Sequence, residues 1–283
     1  MFKHKKTTLC VASVLALAAQ ASWAADNSSS FKLGAGVDYT SGKYGTNQTT
    51  DITQVPVSFR YDTGDWSFKL TVPYINVTGP SNVIPGVGKV QNCNPKSRGH
   101  GHGPIQQLLG CPGGTTPTTT NGSASGLGDI VAAATYNAYR NDSTNFGIDL
   151  TGKVKFGTAD VDKGLGTGKN DYSFEADLYK GYGAWTVFGG VGYTWLGSSQ
   201  YIKLNNVVNT NAGASYKLDD SSSIGAYYDY RQKSADTGFS RSEVTGYYAY
   251  KLSTAWRFQA YATKGFTDGS PDWGVGASTV YAF

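Results

Sequence analysis

The closing stretch of the chain, Trp273 to Phe283, constrains the fold more than any other. Trp273, Val275, Ala277, Thr279, Tyr281 and Phe283 alternate with Gly274, Gly276, Ser278, Val280 and Ala282. A period of two is the signature of a strand with one apolar face. Such a face needs a cover, and such a strand needs a partner along each edge.

The pattern recurs upstream. Phe31, Leu33, Ala35, Val37 and Tyr39 open it, and Trp66, Phe68, Leu70, Val72 and Tyr74 repeat it. Phe146 to Phe156, Trp185 to Trp195 and Trp256 to Ala262 are further clear cases, and the whole chain reads as twelve alternating segments. The apolar parity is free of charge throughout. The opposite parity carries Lys32, Asp38, Arg60, Lys69, Asp129, Asp149, Lys153, Lys155, Glu175, Asp177, Asp229, Arg231, Glu243 and Arg257. A Lys or Arg facing lipid at mid-depth costs roughly 2–4 kcal/mol, so charge confined to one parity fits a barrel with an apolar outside. A soluble β-sandwich also segregates charge. It would, however, bury the Tyr- and Trp-rich face as its core and leave many hydroxyls in need of partners. A membrane barrel places those aromatics at its two rims.

The connections alternate in length as well. Links 40–51, 78–126, 157–170, 196–206, 232–241 and 264–272 are long, whereas those after the even segments are tight turns such as Asp62-Thr63-Gly64. Short turns at one end and long loops at the other are the pattern of an up-and-down transmembrane barrel. Tyr61, Tyr139, Tyr179, Tyr216 and Tyr250 precede the tight turns and read as an aromatic rim. Tyr139 and Tyr179 fall on the inner parity, which predicts a bulge before them. Pro56 and Pro73 fall inside segments, which predicts bulges or strand ends there.

Residues 1–24 read as a secretory signal: Lys3, Lys5 and Lys6, an apolar run from Leu9 to Ala19, and Ser22-Trp23-Ala24 at the cleavage site. The barrel is then 25–283. Without those three lysines, 21 basic residues face 20 acidic ones, which gives no electrostatic case for nucleic acid. Two cysteines remain, Cys93 and Cys111, both in loop 78–126. In a secreted chain they invite a disulfide worth about 3 kcal/mol. The same loop holds His100 and His102. Two His and two Cys are candidate metal ligands, but the spacing matches no zinc pattern, and a disulfide-pinned polar outer loop is the plainer reading. No cofactor is expected.

Two resemblances and one contrast extend the reading. The terminal strand ending on Phe283 is similar to the last strand of bacterial outer-membrane barrels, where a terminal Phe is the signal read by the barrel-assembly machinery. That implies an outer-membrane location in lipid; the tight turns are then the periplasmic ones, and both termini lie on their side. The twelve-stranded outer-membrane phospholipases place a Ser/His pair on the barrel wall. Here the only histidines after the signal lie in the long loop, so hydrolysis is not expected. Gly126-Leu-Gly-Asp129 and Gly164-Leu-Gly-Thr-Gly168 are not phosphate loops, since no helix follows them. Finally, Thr71 to Pro80, Gly126 to Ile130, Gly164 to Phe174 and Val187 to Tyr193 resemble the MetA-pathway of phenol degradation family. The resemblance implies an outer-membrane transporter for passive uptake of small, often aromatic or hydrophobic, solutes. The rival expectation is a closed structural or interaction barrel acting through its outer loops. Symmetric hairpins would set Lys153 opposite Glu175 and Arg231 opposite Glu243. Such pairing would rigidify the wall and neutralise its charges.

Overall fold

The computed structural model describes residues 8–10, 20–22, 29–98 and 121–283. Most of the expected signal lies outside them, as do His100, His102 and Cys111; Thr8–Cys10 and Gln20–Ser22 form a small separate antiparallel pair.

The remainder is a closed antiparallel barrel of twelve strands. These are β1 (Ser30–Gly42), β2 (Thr50–Thr63), β3 (Trp66–Pro80), β4 (Asn121–Leu127 continued by Ile130–Asn141), β5 (Phe146–Phe156) and β6 (Asp171–Tyr182). They continue as β7 (Trp185–Trp195), β8 (Val207–Lys217), β9 (Ser222–Arg231), β10 (Arg241–Lys251), β11 (Trp256–Gly265) and β12 (Trp273–Ala282). Each strand pairs with its sequence neighbours. The seam is β12 on β1, in register from Trp273 against Ser41 to Ala282 against Lys32. Phe283 extends it by donating its N–H to the Phe31 carbonyl at 3.0 Å. Closure removes the open edge, whose backbone groups lipid cannot satisfy and which in water invites pairing with other chains.

The wall is inverted relative to a soluble protein. Its outer face is apolar and aromatic, with Trp66, Trp185, Val191, Trp256 and Trp273 all exposed, whereas Gln54, Asp149, Thr151, Glu175, Asn209 and Gln259 are buried inside. Cross-strand aromatic pairs gird the tight-turn end: Trp66 with Tyr136 at 4.9 Å, Trp185 with Tyr216 at 4.9 Å, and Trp256 with Tyr281 at 5.0 Å. Their amphipathic rings suit a headgroup boundary.

Two irregularities have local causes. The register between β4 and β5 shifts at Ile148/Asp149, skipping Ala138, and this turns Tyr139 outward as expected. No such shift precedes Tyr179. It stays on the inner face, lying flat over Gly147, where a built Cβ would come within 2.1 Å of its hydroxyl. The rim expected from the sequence therefore loses Tyr179. Pro56 and Pro73 oppose each other across β2 and β3 while that ladder continues unbroken. Each proline's missing N–H must then face its other neighbour. The β1–β2 pairing lapses between Ala35/Val57 and Asp38/Gln54. On the other side β4 breaks at Gly128-Asp129, where Gly128 N–H reaches the Pro73 carbonyl at 2.8 Å.

Candidate functional site

Every charged residue assigned to the opposite parity sits on the inner face. Lys32, Asp149, Glu175, Asp177 and Asp229 are buried there, and the others are half-buried. Their pairing differs from the symmetric-hairpin expectation. Lys153 faces Ser173 in register and reaches Glu175 diagonally, at 2.5 Å. Arg231 faces Arg241 rather than Glu243. It is Arg241, expected in a loop, that bridges Asp229 at 2.9 Å and Glu243 at 3.2 Å. In both hairpins the register is offset by two residues from the symmetric expectation. Asp62, expected in a turn, is likewise the last inward residue of its strand. It binds both Lys32 and Arg60 at 2.7 Å. Lys155 links Asp129 at 2.7 Å and Asp171 at 3.0 Å. Among the described residues, Asp38 and Lys69 make no hydrogen bond or ion pair.

The long loop turns inward. Its first part, residues 81–98, forms a small ribbon, Val83–Ile84 against Gly88–Lys89, that sits in the mouth of the barrel. Ile84, Val87 and Val90 pack with Ile202 and Ala235 of two other long loops into a small apolar core. A second core joins Ile75 and Val77 of β3 to Ala159 and Leu165 of the loop between β5 and β6. Polar anchors hold the ribbon from several sides. Arg231 donates to the Gly86 and Val87 carbonyls at 2.8 Å each, and Ser234 to Val87 at 2.9 Å. Lys89 donates to the Gly45 carbonyl at 2.7 Å. Arg98 donates to the carbonyls of Pro80, Val83 and Gly164, and its burial pushes the guanidinium down to about 10. Asn94 donates to Asp162 at 3.0 Å, which holds that carboxyl below its usual range. Tyr44, buried beside the ribbon and 3.3 Å from the Thr40 hydroxyl, is pushed up to about 12 by burial.

Cys93 is disulfide-bonded, and its N–H reaches the Tyr201 carbonyl at 2.9 Å. Its expected partner Cys111 lies outside the described residues, as do the metal candidates His100 and His102. Among the described residues no group of three or more His, Cys, Asp or Glu side chains could hold a metal.

Sequence reasoning anticipated a loop at the mouth and missed the ribbon that fills it. The signal was the short apolar set Val83, Ile84, Val87 and Val90, whose spacing is too compact for a barrel strand. Below the ribbon a cavity of about 170 Å³ remains, lined by side chains of β1, β2 and β8 to β12.

No curated protein matches this chain in sequence. Among solved structures, the COG4313 outer membrane channel from Pseudomonas putida F1 superposes with a TM-score of 0.62 at 13% identity, covering 92% of this chain and 97% of that one. The KdgM porin gives 0.46 at 10% identity, over 88% and 99%. The CymD monoaromatic hydrocarbon channel gives 0.43 at 10% identity, over 89% and 88%. The first of these shares the barrel fold. The model of the MetA-pathway of phenol degradation family matches residues 98–283, that is, from Arg98 through β4 to the end of the chain. The segment Thr71 to Pro80 lies ahead of that match. With about two-thirds of its length inside the family model, the chain belongs to the MetA-pathway of phenol degradation family.

Proposed function

We propose that this barrel is a passive outer-membrane channel for small solutes, with aromatic or hydrophobic compounds as its cargo. The observation that carries the reading is the inverted wall: an apolar exterior around an interior of ion pairs, amides and hydroxyls that encloses a cavity. A polar interior is common to open and plugged barrels; the cavity left beneath the ribbon is what favours a solute path. Twelve strands lie between those that side chains fill and those that leave wide water channels, which fits a narrow, selective path. The family and the shared fold of a solved channel support the same reading.

In this reading the long loops face outward and both termini lie in the periplasm. The terminal Phe283 presents the assembly signal. Solutes meet the ribbon first, then the mixed-charge lumen. Cys93 pairs with Cys111 and pins the ribbon's continuation. Arg60, Lys69 and Arg257 line the conduit, so charge reversal at them shifts ion selectivity.

The ribbon in the mouth also favours a second reading, a closed barrel that acts through its outer loops. Single-channel conductance of the refolded chain 25–283 in planar bilayers separates the two. Discrete steps, altered by a reducing agent, support the conduit. Stable insertion with no conductance in either redox state overturns it in favour of the closed barrel.

A further inference from the structure

The cavity under the ribbon has a chemistry of its own. Ile84, Pro85 and Gly86 roof it. Its charges are Asp38, Asp229 and Glu243 against Arg231 and Arg241. Two of the acids are already answered, because Arg241 holds both Asp229 and Glu243. Arg231 spends its two terminal nitrogens on the ribbon carbonyls. What remains is one carboxylate, Asp38, without an ion pair or hydrogen bond among the described residues, and a net charge of one negative in the chamber.

The surroundings of Asp38 are built to leave it open. It faces Gly276 across the β1–β12 seam, and Tyr261 faces the same glycine from β11. A Cβ on Gly276 would lie 2.2 Å from the Tyr261 hydroxyl and 2.8 Å from Asp38 Oδ1. The glycine therefore lets a carboxylate and a phenol converge on one spot. Tyr227 and Tyr44 add further ring surface to the same walls. A carboxylate beside tyrosine rings is the pairing that holds ammonium groups, through ion pairing and the ring quadrupole. The volume, about 170 Å³, is near the roughly 150 Å³ that accommodates benzene in an engineered cavity.

We propose that this chamber binds a small organic cation, a protonated amine on a ring-sized apolar body, with the ammonium on Asp38 and the body against Tyr227 and Tyr261. The proposal rests on the reading of the lumen as a solute path and gives that path a charge preference. An anion finds no open cation in the chamber, because both guanidiniums are engaged. A neutral ring finds the tyrosines but leaves Asp38 unanswered.

Benzylammonium and benzyl alcohol test it, since they share a body and differ in charge. Binding of each to the refolded chain in non-ionic micelles is measured by calorimetry or ligand-observed NMR. The expected result is at least tenfold tighter binding of benzylammonium to the wild type, and loss of that preference in Asp38→Asn. Equal binding of the two probes to the wild type overturns the proposal with no variant needed, and so does benzylammonium binding unchanged in Asp38→Asn. Gly276→Ala, which crowds Asp38 and Tyr261 without removing charge, is expected to weaken benzylammonium binding as well. Bilayer conductance is a separate readout. Charge-selective binding in a barrel that never conducts overturns the conduit and keeps this site, whereas conductance without charge-selective binding overturns the site alone.

Discussion

Arg231→Met tests how the ribbon is held in the mouth. Met keeps the apolar stem and removes the two donors that reach Gly86 and Val87 at 2.8 Å. A hydrogen bond from a charged group contributes about 1.5–3 kcal/mol. The loss here falls toward the low end for each bond. Gly86 is exposed and its carbonyl can turn to water, while the Val87 carbonyl keeps Ser234 at 2.9 Å. A combined loss of about 2–3 kcal/mol follows, or roughly 30- to 150-fold in the equilibrium for ribbon release. The apolar contacts of Ile84, Val87 and Val90 stay in place, so the ribbon loosens without leaving. The assay is amide hydrogen exchange in micelles. The Val87 N–H on Ile84 and the Val90 N–H on Asn82 are internal to the ribbon and report its opening. They are expected to exchange faster by that factor, while amides of the β5–β6 ladder are unchanged. Equal exchange in wild type and variant would refute the claim that Arg231 anchors the ribbon. Parallel acceleration of the β5–β6 amides would show instead that Arg231 holds the wall.

Three further outcomes are expected. Gly147→Ala sets a methyl within 2.1 Å of the Tyr179 hydroxyl, whereas Gly152→Ala meets nothing within 4 Å; the unfolding free energy from urea titration should fall by about 1–3 kcal/mol for the first and stay level for the second. Arg241→Met leaves Asp229 and Glu243 unpaired inside the wall and should cost about 3–5 kcal/mol, with much of it recovered when both acids are also made amides. Tyr44 is held neutral by burial, up to about 12. A raised acid favours the fold fully below the unfolded value near 10 and loses that contribution as pH climbs through 12. Stability should therefore decline between pH 10 and 12 by roughly 2–3 kcal/mol more in wild type than in Tyr44→Phe, read from denaturation midpoints.

The alternation of apolar and polar residues determined the barrel. It set the strand count, the inside and outside of the strands apart from the bulged end of β4, and the alternation of tight and long links. These follow from the sequence because a strand's two faces are written one residue apart, and lipid on one side punishes any charge of the wrong parity. Tertiary structure decided three other matters. Register was one: periodicity labels a face but not a partner, so Arg241 rather than Arg231 holds Glu243, and Lys153 meets Glu175 on a diagonal. Interior packing was another, for Tyr179 stays inside only because Gly147 on the next strand leaves it room. The last was the ribbon of residues 81–98. Its anchors, Gly45, Arg98 with Gly164, Tyr201, Arg231 and Ser234, are scattered along the chain, and no local pattern links them. Only closure of the wall brings the five other long loops to one mouth, and there a short apolar run of Val83, Ile84, Val87 and Val90 finds its cover.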